Sequence, residues 1–262
     1  MTQFYIIPDE KNINDSIEIS SKYNTCFEYN DFYFPDILDN SIELRRIINF
    51  YKSLGFMPKG NTMHGAFFDV LIFSADERIR KISEYRIDQS IEIANELDAK
   101  AVIFHTNYMP TFYNESYRKS WVEINALFWS EKCLKHPEIN ILIENMFDIT
   151  PELLSKLAEN LKNIKNCGVC FDYAHASLSD VSPEEWAKSL SRFTKHIHIN
   201  DNDLNSDLHQ PVGDGKINWG NYKKIYKEFF SDCSVLIETT GKERILKSFD
   251  YIEKANIMNI IT

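Results

Sequence analysis

Short apolar runs alternate with longer amphipathic stretches along the whole chain. Eight runs of four to six residues have the length and composition of buried strands. These predicted strands are residues 4–7, 26–29, 62–66, 101–105, 139–144, 168–172, 196–199 and 235–238. Apolar side chains at helical spacing predict helices over residues 41–54, 79–97, 117–135, 151–163, 183–190, 222–230 and 243–255. Thr150 and Ser182 each precede a Pro-Glu pair, which predicts a helix N-cap at both positions.

Strands that alternate regularly with helices predict an α/β protein built as a single (β/α)8 TIM barrel. Such a barrel needs roughly 250 residues. The chain has 262, so we expect one barrel domain over residues 1–262. A doubly wound sheet is the alternative, but the turn at residues 7–10 lacks the glycines of a phosphate-binding turn.

The charge balance is acidic, with 29 Lys and Arg against 39 Asp and Glu and a formal net charge of −10. This balance disfavours binding to nucleic acid or to an anionic membrane. No apolar run approaches the ~18 to 20 residues of a membrane span, and the N-terminus lacks the features of a signal peptide. Five scattered cysteines favour reduced thiols, so we expect a cytoplasmic protein. Cys167 and Cys170 have redox-motif spacing, but they lie in an apolar run whose alternation predicts a buried Cys170.

Seven of the eight predicted strands end on a carboxylate or an imidazole. These residues are Glu28, His64, His105, Glu144, Asp172, His198 and Glu238. In a (β/α)8 barrel the active site forms where the strands end. Carboxylates that converge on one mouth repel each other unless cations lie between them. The pattern therefore predicts a metal site.

Two loops add further candidate ligands. His175 follows the sixth predicted strand, and Asp207 and His209 follow the seventh. A mixture of imidazole and carboxylate suits Zn²⁺, Mn²⁺ or Fe²⁺ better than Ca²⁺. We interpret His136 as a surface residue and His196 as a structural residue one layer deeper than the site.

These residues and their surroundings resemble the sugar phosphate isomerase/epimerase family. That family belongs to the xylose isomerase-like TIM barrel superfamily, which also contains endonuclease IV. The resemblance is carried, in chain order, by residues 63–69, 104–105, 143–145, 170–175, 198–203, 207–209, 213–215 and 237–239. It is more specific for the fold and the metal site than for the reaction.

For the sugar epimerases, the resemblance implies a site for one divalent ion, commonly Mn²⁺. Its ligands would be Glu144, Asp172, His198 and Glu238. Glu144 and Glu238 would also act as an acid/base pair on opposite faces of the sugar, and His175 would contact a substrate oxygen. A polarised carbonyl makes the neighbouring proton removable by a carboxylate within reach. The leading hypothesis is a metal-dependent isomerase or epimerase of a small sugar or sugar phosphate.

For endonuclease IV, the resemblance implies a larger site with three Zn²⁺ ions. Its ligands would be the same four residues together with His64, His105, His175, Asp207 and His209. Such a centre activates water and neutralises a phosphodiester. The alternative hypothesis is therefore a polynuclear phosphoesterase, although not necessarily one that acts on DNA. A barrel that only binds sugar or metal is a third hypothesis, and the expected metal content is one to three ions per chain.

The loops also hold features that concern the substrate. Residues 200–215 contain no Arg, whereas sugar epimerases place one soon after the metal-binding His. Aromatic residues follow the second and fourth strands, where they either stack on a sugar or pack on the barrel rim. They are Phe32, Tyr33, Phe34, Tyr108, Phe112, Tyr113 and Tyr117. We expect a small-molecule substrate, and the sequence leaves the oligomeric state open.

Overall fold

The computed structural model of the protein describes residues 2–109 and 114–259. Its centre is a closed barrel of parallel strands, in which each strand pairs with its neighbours along the chain and the last pairs with the first. The strands are β1 (Phe4–Ile6), β2 (Cys26–Tyr29), β3 (Thr62–His64), β4 (Ala101–His105), β5 (Asn140–Glu144), β6 (Cys167–Asp172), β7 (Thr194–Ile199) and β8 (Ser234–Ile237). The predicted (β/α)8 barrel is confirmed.

Helices lie between the strands and surround the barrel. They are α1 (Ile13–Tyr23), α2 (Pro35–Leu38), α3 (Ser41–Ser53), α4 (Glu77–Glu96), α5 (Glu115–Lys135), α6 (Glu152–Leu161), α7 (Tyr173–Ser177), α8 (Pro183–Leu190), α9 (Trp219–Phe229) and α10 (Lys242–Lys254). None of the helices in the described part of the chain is long and apolar enough to cross a membrane.

Helix α1 was not predicted from the apolar pattern, and its buried face explains why. Two of its buried positions are serines, Ser16 and Ser20, so the apolar repeat is interrupted. Both hydroxyls are hydrogen-bonded: Ser16 accepts from the Asp9 backbone N–H at 3.0 Å, and Ser20 donates to the Thr25 carbonyl at 2.6 Å. A buried hydroxyl with a partner replaces an apolar side chain at little cost.

The two predicted N-caps have different outcomes. Ser182 caps α8, because its side chain accepts from the backbone N–H of Glu185 and Pro183 opens the helix. The prediction at Thr150 is wrong, since Pro151 is the N-cap of α6 and makes no side-chain cap hydrogen bond. The Pro151 carbonyl accepts from the Ser155 N–H at 2.9 Å, so the helical ladder starts at the proline itself.

The barrel interior explains how the site is positioned. Small apolar clusters fill it, and they include Leu142, Cys170 and Leu236. Each of these residues lies two positions before a carboxylate at the end of its strand, so the carboxylate continues an inward-facing column. All five cysteines are free and buried, as expected for reduced thiols.

Candidate metal centre

The nine candidate ligands come together at the carboxyl end of the barrel, in three adjoining groups. Group A is His64, His105 and Glu144; group B is Glu144, Asp172, His198 and Glu238; group C is His175, Asp207 and His209. Within each group, the candidate ligand atoms all lie within 4.8 Å of one another. The strand ends supply groups A and B, whereas α7 and the loop after β7 supply group C.

Group A has the spacing of a metal site. His64 Nε2 lies 3.1 Å from His105 Nε2, and Glu144 Oε2 lies 3.5 and 3.4 Å from the same two nitrogens. Two ligands of a tetrahedral Zn²⁺ ion lie about 3.3 Å apart, because each is about 2.05 Å from the ion. The three separations therefore match one face of a ligand tetrahedron.

Group B surrounds the Nδ1 atom of His198. Glu144 Oε1 lies 3.1 Å and Glu238 Oε1 3.6 Å from this nitrogen. Asp172 is held by Asn145, whose side chain accepts from the Asp172 N–H at 2.9 Å and donates to the Asp172 carbonyl at 2.8 Å. Three carboxylates and one imidazole thus converge in an interior position.

Group C forms around Asp207. Its Oδ2 lies 3.3 Å from His175 Nε2 and 3.0 Å from His209 Nε2. His175 Nδ1 lies 2.9 Å from the Asn145 carbonyl, and His209 Nδ1 lies 3.2 Å from the Glu238 carbonyl. A nitrogen that faces a carbonyl carries the proton, which leaves the Nε2 lone pair free to bind a metal.

The loop between β7 and α9 brings Asp207 and His209 to the mouth. Asp201 organises this loop, because its carboxylate accepts from the N–H groups of Gly213 and Ile217 at 2.9 and 3.1 Å. A Cβ at Gly215 would lie 2.3 Å from the Asp201 carboxylate, so only glycine fits there. These contacts explain the Gly-Asp-Gly sequence that follows the ligand pair.

The electrostatics of the centre favour a bound cation. Both oxygens of Glu144, Oδ2 of Asp172 and Nδ1 of His198 are buried and have no hydrogen-bond partner in the described part of the chain. Burial raises the pKa of Asp172 to about 8. Burial acts in the same direction on Glu238, but His209 and His198 lower its pKa to about 2. A carboxylate such as Asp172 is ionised at this depth only with a compensating positive charge beside it, so these residues fit a divalent cation.

Glu28, grouped with the strand ends in the sequence, lies on the far side of His198 from group B. Its Oε1 is 3.2 Å from His198 Nε2, and its Oε2 is 3.3 Å from His196 Nε2 and accepts from the Thr62 hydroxyl at 2.6 Å. His196 is buried beside it, as expected for a residue below the site, whereas His136 is half-buried. Glu28 therefore orients His198 rather than joining the three groups.

A cavity of about 210 Å³ opens above groups A and C. Tyr33 and Phe67 line it, with ring centroids 5.2 Å apart, and Phe67 lies 4.7 Å from the His105 ring. Other aromatic residues singled out in the sequence do not line this cavity. Phe32 is buried, and Tyr108 and Tyr117 pack against each other with ring centroids 5.7 Å apart. Phe112 and Tyr113 lie outside the described residues.

Comparison with known proteins identifies the family. Residues 25–255 match the model of the xylose isomerase-like TIM barrels. The chain belongs to this family. The uncharacterized protein MJ1311 of Methanocaldococcus jannaschii is 30% identical over 203 residues, which cover 73% of this chain and 68% of that protein.

Several solved structures are similar to this chain over almost its whole length. The TTHB071 protein from Thermus thermophilus, soaked with ZnCl₂, has a TM-score of 0.75 at 19% identity, with 97% of each chain covered. A D-tagatose 3-epimerase-like protein has a TM-score of 0.74 at 25% identity, with 97% of this chain and 96% of that chain covered. Sugar epimerases are also among the similar structures, including an L-ribulose 3-epimerase at 13% identity.

Proposed function

We propose that this member of the xylose isomerase-like family is a divalent-metal-dependent enzyme that isomerises or epimerises a small sugar or sugar phosphate. The observation that carries the proposal is the pair of buried carboxylates, Glu144 and Glu238, which approach the same nitrogen of His198 at 3.1 and 3.6 Å. Transfer of a proton from one face of a carbon to the other needs two such groups. The similarity to sugar epimerases supports the same reaction class.

Each residue has a defined task in this reaction. A divalent ion in group B would polarise a substrate oxygen when bound. Glu238 lines the cavity, where it would exchange a proton with a substrate carbon. Asn200 Nδ2 donates to Glu238 Oε2 at 3.2 Å and fixes the orientation of the carboxylate. His175, held by the Asn145 carbonyl, would contact a substrate oxygen.

The cavity supports a small substrate. Its volume of about 210 Å³ is below the roughly 300–1,000 Å³ of pockets for drug-sized ligands. Tyr33 and Phe67 provide an apolar wall that suits the face of a sugar ring. The net charge of −10 further disfavours a nucleic acid substrate.

A second function, hydrolysis of a phosphate ester at a centre of up to three ions, is favoured by the position of Glu144. One oxygen of this carboxylate faces the imidazoles of group A and the other faces His198 in group B. With an ion in each of groups A and B, Glu144 would be a ligand of both and would not be free to act as a base. Two members of group C, Asp207 and His209, also have no task in a one-ion epimerase.

Metal content separates the two functions. The protein is reconstituted with excess Mn²⁺ or Zn²⁺, freed of unbound ions and analysed for metal. About one ion per chain supports the epimerase. About three ions per chain exclude the one-ion epimerase proposed here. Epimerase activity is measured as the incorporation of solvent deuterium at a substrate carbon.

Two substitutions test the roles of the residues. Glu238→Gln should abolish deuterium incorporation, and Glu243→Gln, an exposed change on the neighbouring helix, is the matched control. Full activity of Glu238→Gln would refute proton transfer by this pair. His209→Ala should only weaken a one-ion epimerase but abolish a polynuclear hydrolase, with His136→Ala as its control outside the centre.

A further inference from the structure

A second cavity lies at the opposite end of the barrel from the metal centre. Its volume is about 160 Å³, and its walls are the inner face of α6 and the first residues of β6 and β7. Helix α6 has ten residues, whereas α4 and α5 have 20 and 21. Because α6 ends early, the chain turns at residues 162–166 and leaves space beside the start of β6.

Apolar side chains form one part of the cavity wall. Leu157, Leu161 and Val169 line its walls, together with Ala158 and Phe193. Its volume is close to that of a cavity of about 150 Å³ that stays dry and binds benzene in another protein. The apolar part of an occupant therefore has the size of one six-membered carbon ring.

A β-bulge places a lysine along the edge of the cavity. Val169 pairs with Thr194 whereas Cys170 pairs with His196, so Lys195 is the extra residue on β7. Bulges redirect side chains, and here the lysine stem crosses β6 at Gly168. A Cβ at Gly168 would lie 2.9 Å from Lys195 Cδ, so glycine is needed for this path.

The Lys195 ammonium is held at the rim with a free donor. Its Nζ donates to the Lys165 carbonyl at 2.5 Å and to Asn140 Oδ1 at 3.1 Å. An ammonium group has three N–H donors, so one is available to a ligand. The lysine thus presents a positive charge at the edge of the cavity, beside its apolar wall.

The rim as a whole is cationic, although the protein is acidic. The described residues that line the cavity include no carboxylate but four cationic side chains, Lys162, Lys165, Arg192 and Lys195. One carboxylate nearby, Glu159, pairs with Lys162 at 2.5 Å and with Arg192. Three positive charges remain in excess, on a chain whose net charge is −10.

We propose that this cavity binds a small organic monoanion, with its apolar part inside and its carboxylate at Lys195. Charge complementarity at the rim selects the anion, and the cavity volume selects an apolar group about as large as a benzene ring. The site is separate from the metal centre and does not depend on the proposed function.

Benzoate and its neutral analogue benzamide test this proposal by thermal unfolding. The measurement is made in EDTA, so that benzoate does not bind to ions in the metal centre through its carboxylate. Benzoate at about one hundred times its Kd should raise the Tm by roughly 5 °C or more, and benzamide at the same concentration should have a much smaller effect. Equal shifts with the two probes, or no shift with benzoate, would overturn the proposal.

Three variants locate the binding site. Lys195→Met should weaken benzoate binding roughly tenfold or more, because a charged hydrogen bond is lost. Lys188→Met, which changes an exposed lysine of α8, is the matched control and should bind as wild type. Ala158→Leu fills the cavity and should abolish binding. Saturation-transfer NMR measures benzoate binding to Lys195→Met directly, so the proposal is tested even where Ala158→Leu does not fold. Unchanged binding by Lys195→Met would overturn the proposal.

Discussion

Replacement of Glu28 by Gln is the most informative change below the metal centre, because it keeps the shape of the side chain and removes its charge. Glu28 is fully buried and contacts His198 at 3.2 Å and His196 at 3.3 Å. Burial would raise its pKa, but the two imidazoles hold the pKa well below its usual range. The carboxylate therefore favours a proton on His198 Nε2, which leaves Nδ1 free to face group B.

The magnitude follows from this contact. Loss of a group that orients a metal-binding histidine typically lowers metal affinity by about 10- to 100-fold, or about 1.4–2.7 kcal/mol. We expect the upper part of this range, because no water reaches Glu28 to replace the lost charge. Group C does not contact Glu28 in the described part of the chain, so its affinity should not change.

A chelator competition titration with Zn²⁺ or Mn²⁺ measures the effect. Glu28→Gln should bind the group B ion about 10- to 100-fold more weakly, as worked out above. Thr62→Val, which removes only the hydroxyl that donates to Glu28, should cause a smaller loss. Wild-type affinity at every site of Glu28→Gln, or equal losses in groups B and C, would refute the positioning role.

Three further predictions concern ions, protons and a buried carboxylate. Removal of bound ions by EDTA should lower the Tm by roughly 5 °C or more, and an unchanged Tm in calorimetry would contradict an interior metal site. Metal affinity should fall as the pH drops, because the imidazole ligands must be neutral and, against the effect of burial, Glu238 raises the pKa of His209 to about 9; a pH-independent Kd would contradict the ligand assignment. Burial raises the pKa of Asp148 to about 6, although the hydrogen bond from Thr106 acts to lower it. Ionisation of Asp148 therefore destabilises the fold as the pH rises through this value. In urea unfolding with EDTA present, this ionisation should lower the free energy of unfolding by about 1.4 kcal/mol between about pH 5 and pH 8. Asp148→Asn should not show this loss. Equal pH profiles of the two proteins would refute the prediction.

The strand order and the ligand residues follow from simple periodicities, which is why they could be predicted. Residues at the ends of parallel strands meet at one mouth, so His64, His105 and Glu144 could be placed together without knowledge of any loop. Asp207 and His209 were candidates from their place after the seventh strand, but periodicity could not position them at the mouth, because the path of their loop depends on hydrogen bonds to Asp201.

Other features depend on contacts that no periodicity encodes. The role of Glu28 depends on how deep its side chain lies in the barrel, because a residue near a strand end points either into the mouth or into the layer beneath the mouth. The bulge at Lys195 appears only in the register between two strands, and the sequence shows no more than a glycine at position 168. Helix α1 was missed because its interior contacts are made by hydroxyl groups.

The sharing of Glu144 also determines how the centre fills. Group B offers three carboxylates, whereas group C offers one and group A only the carboxylate that it shares with group B. Affinity for a divalent cation rises with the number of negative ligands, so we expect group B to fill first and group A last. The proposed epimerase would need only the group B ion, whereas the proposed hydrolase would need the sites that fill later.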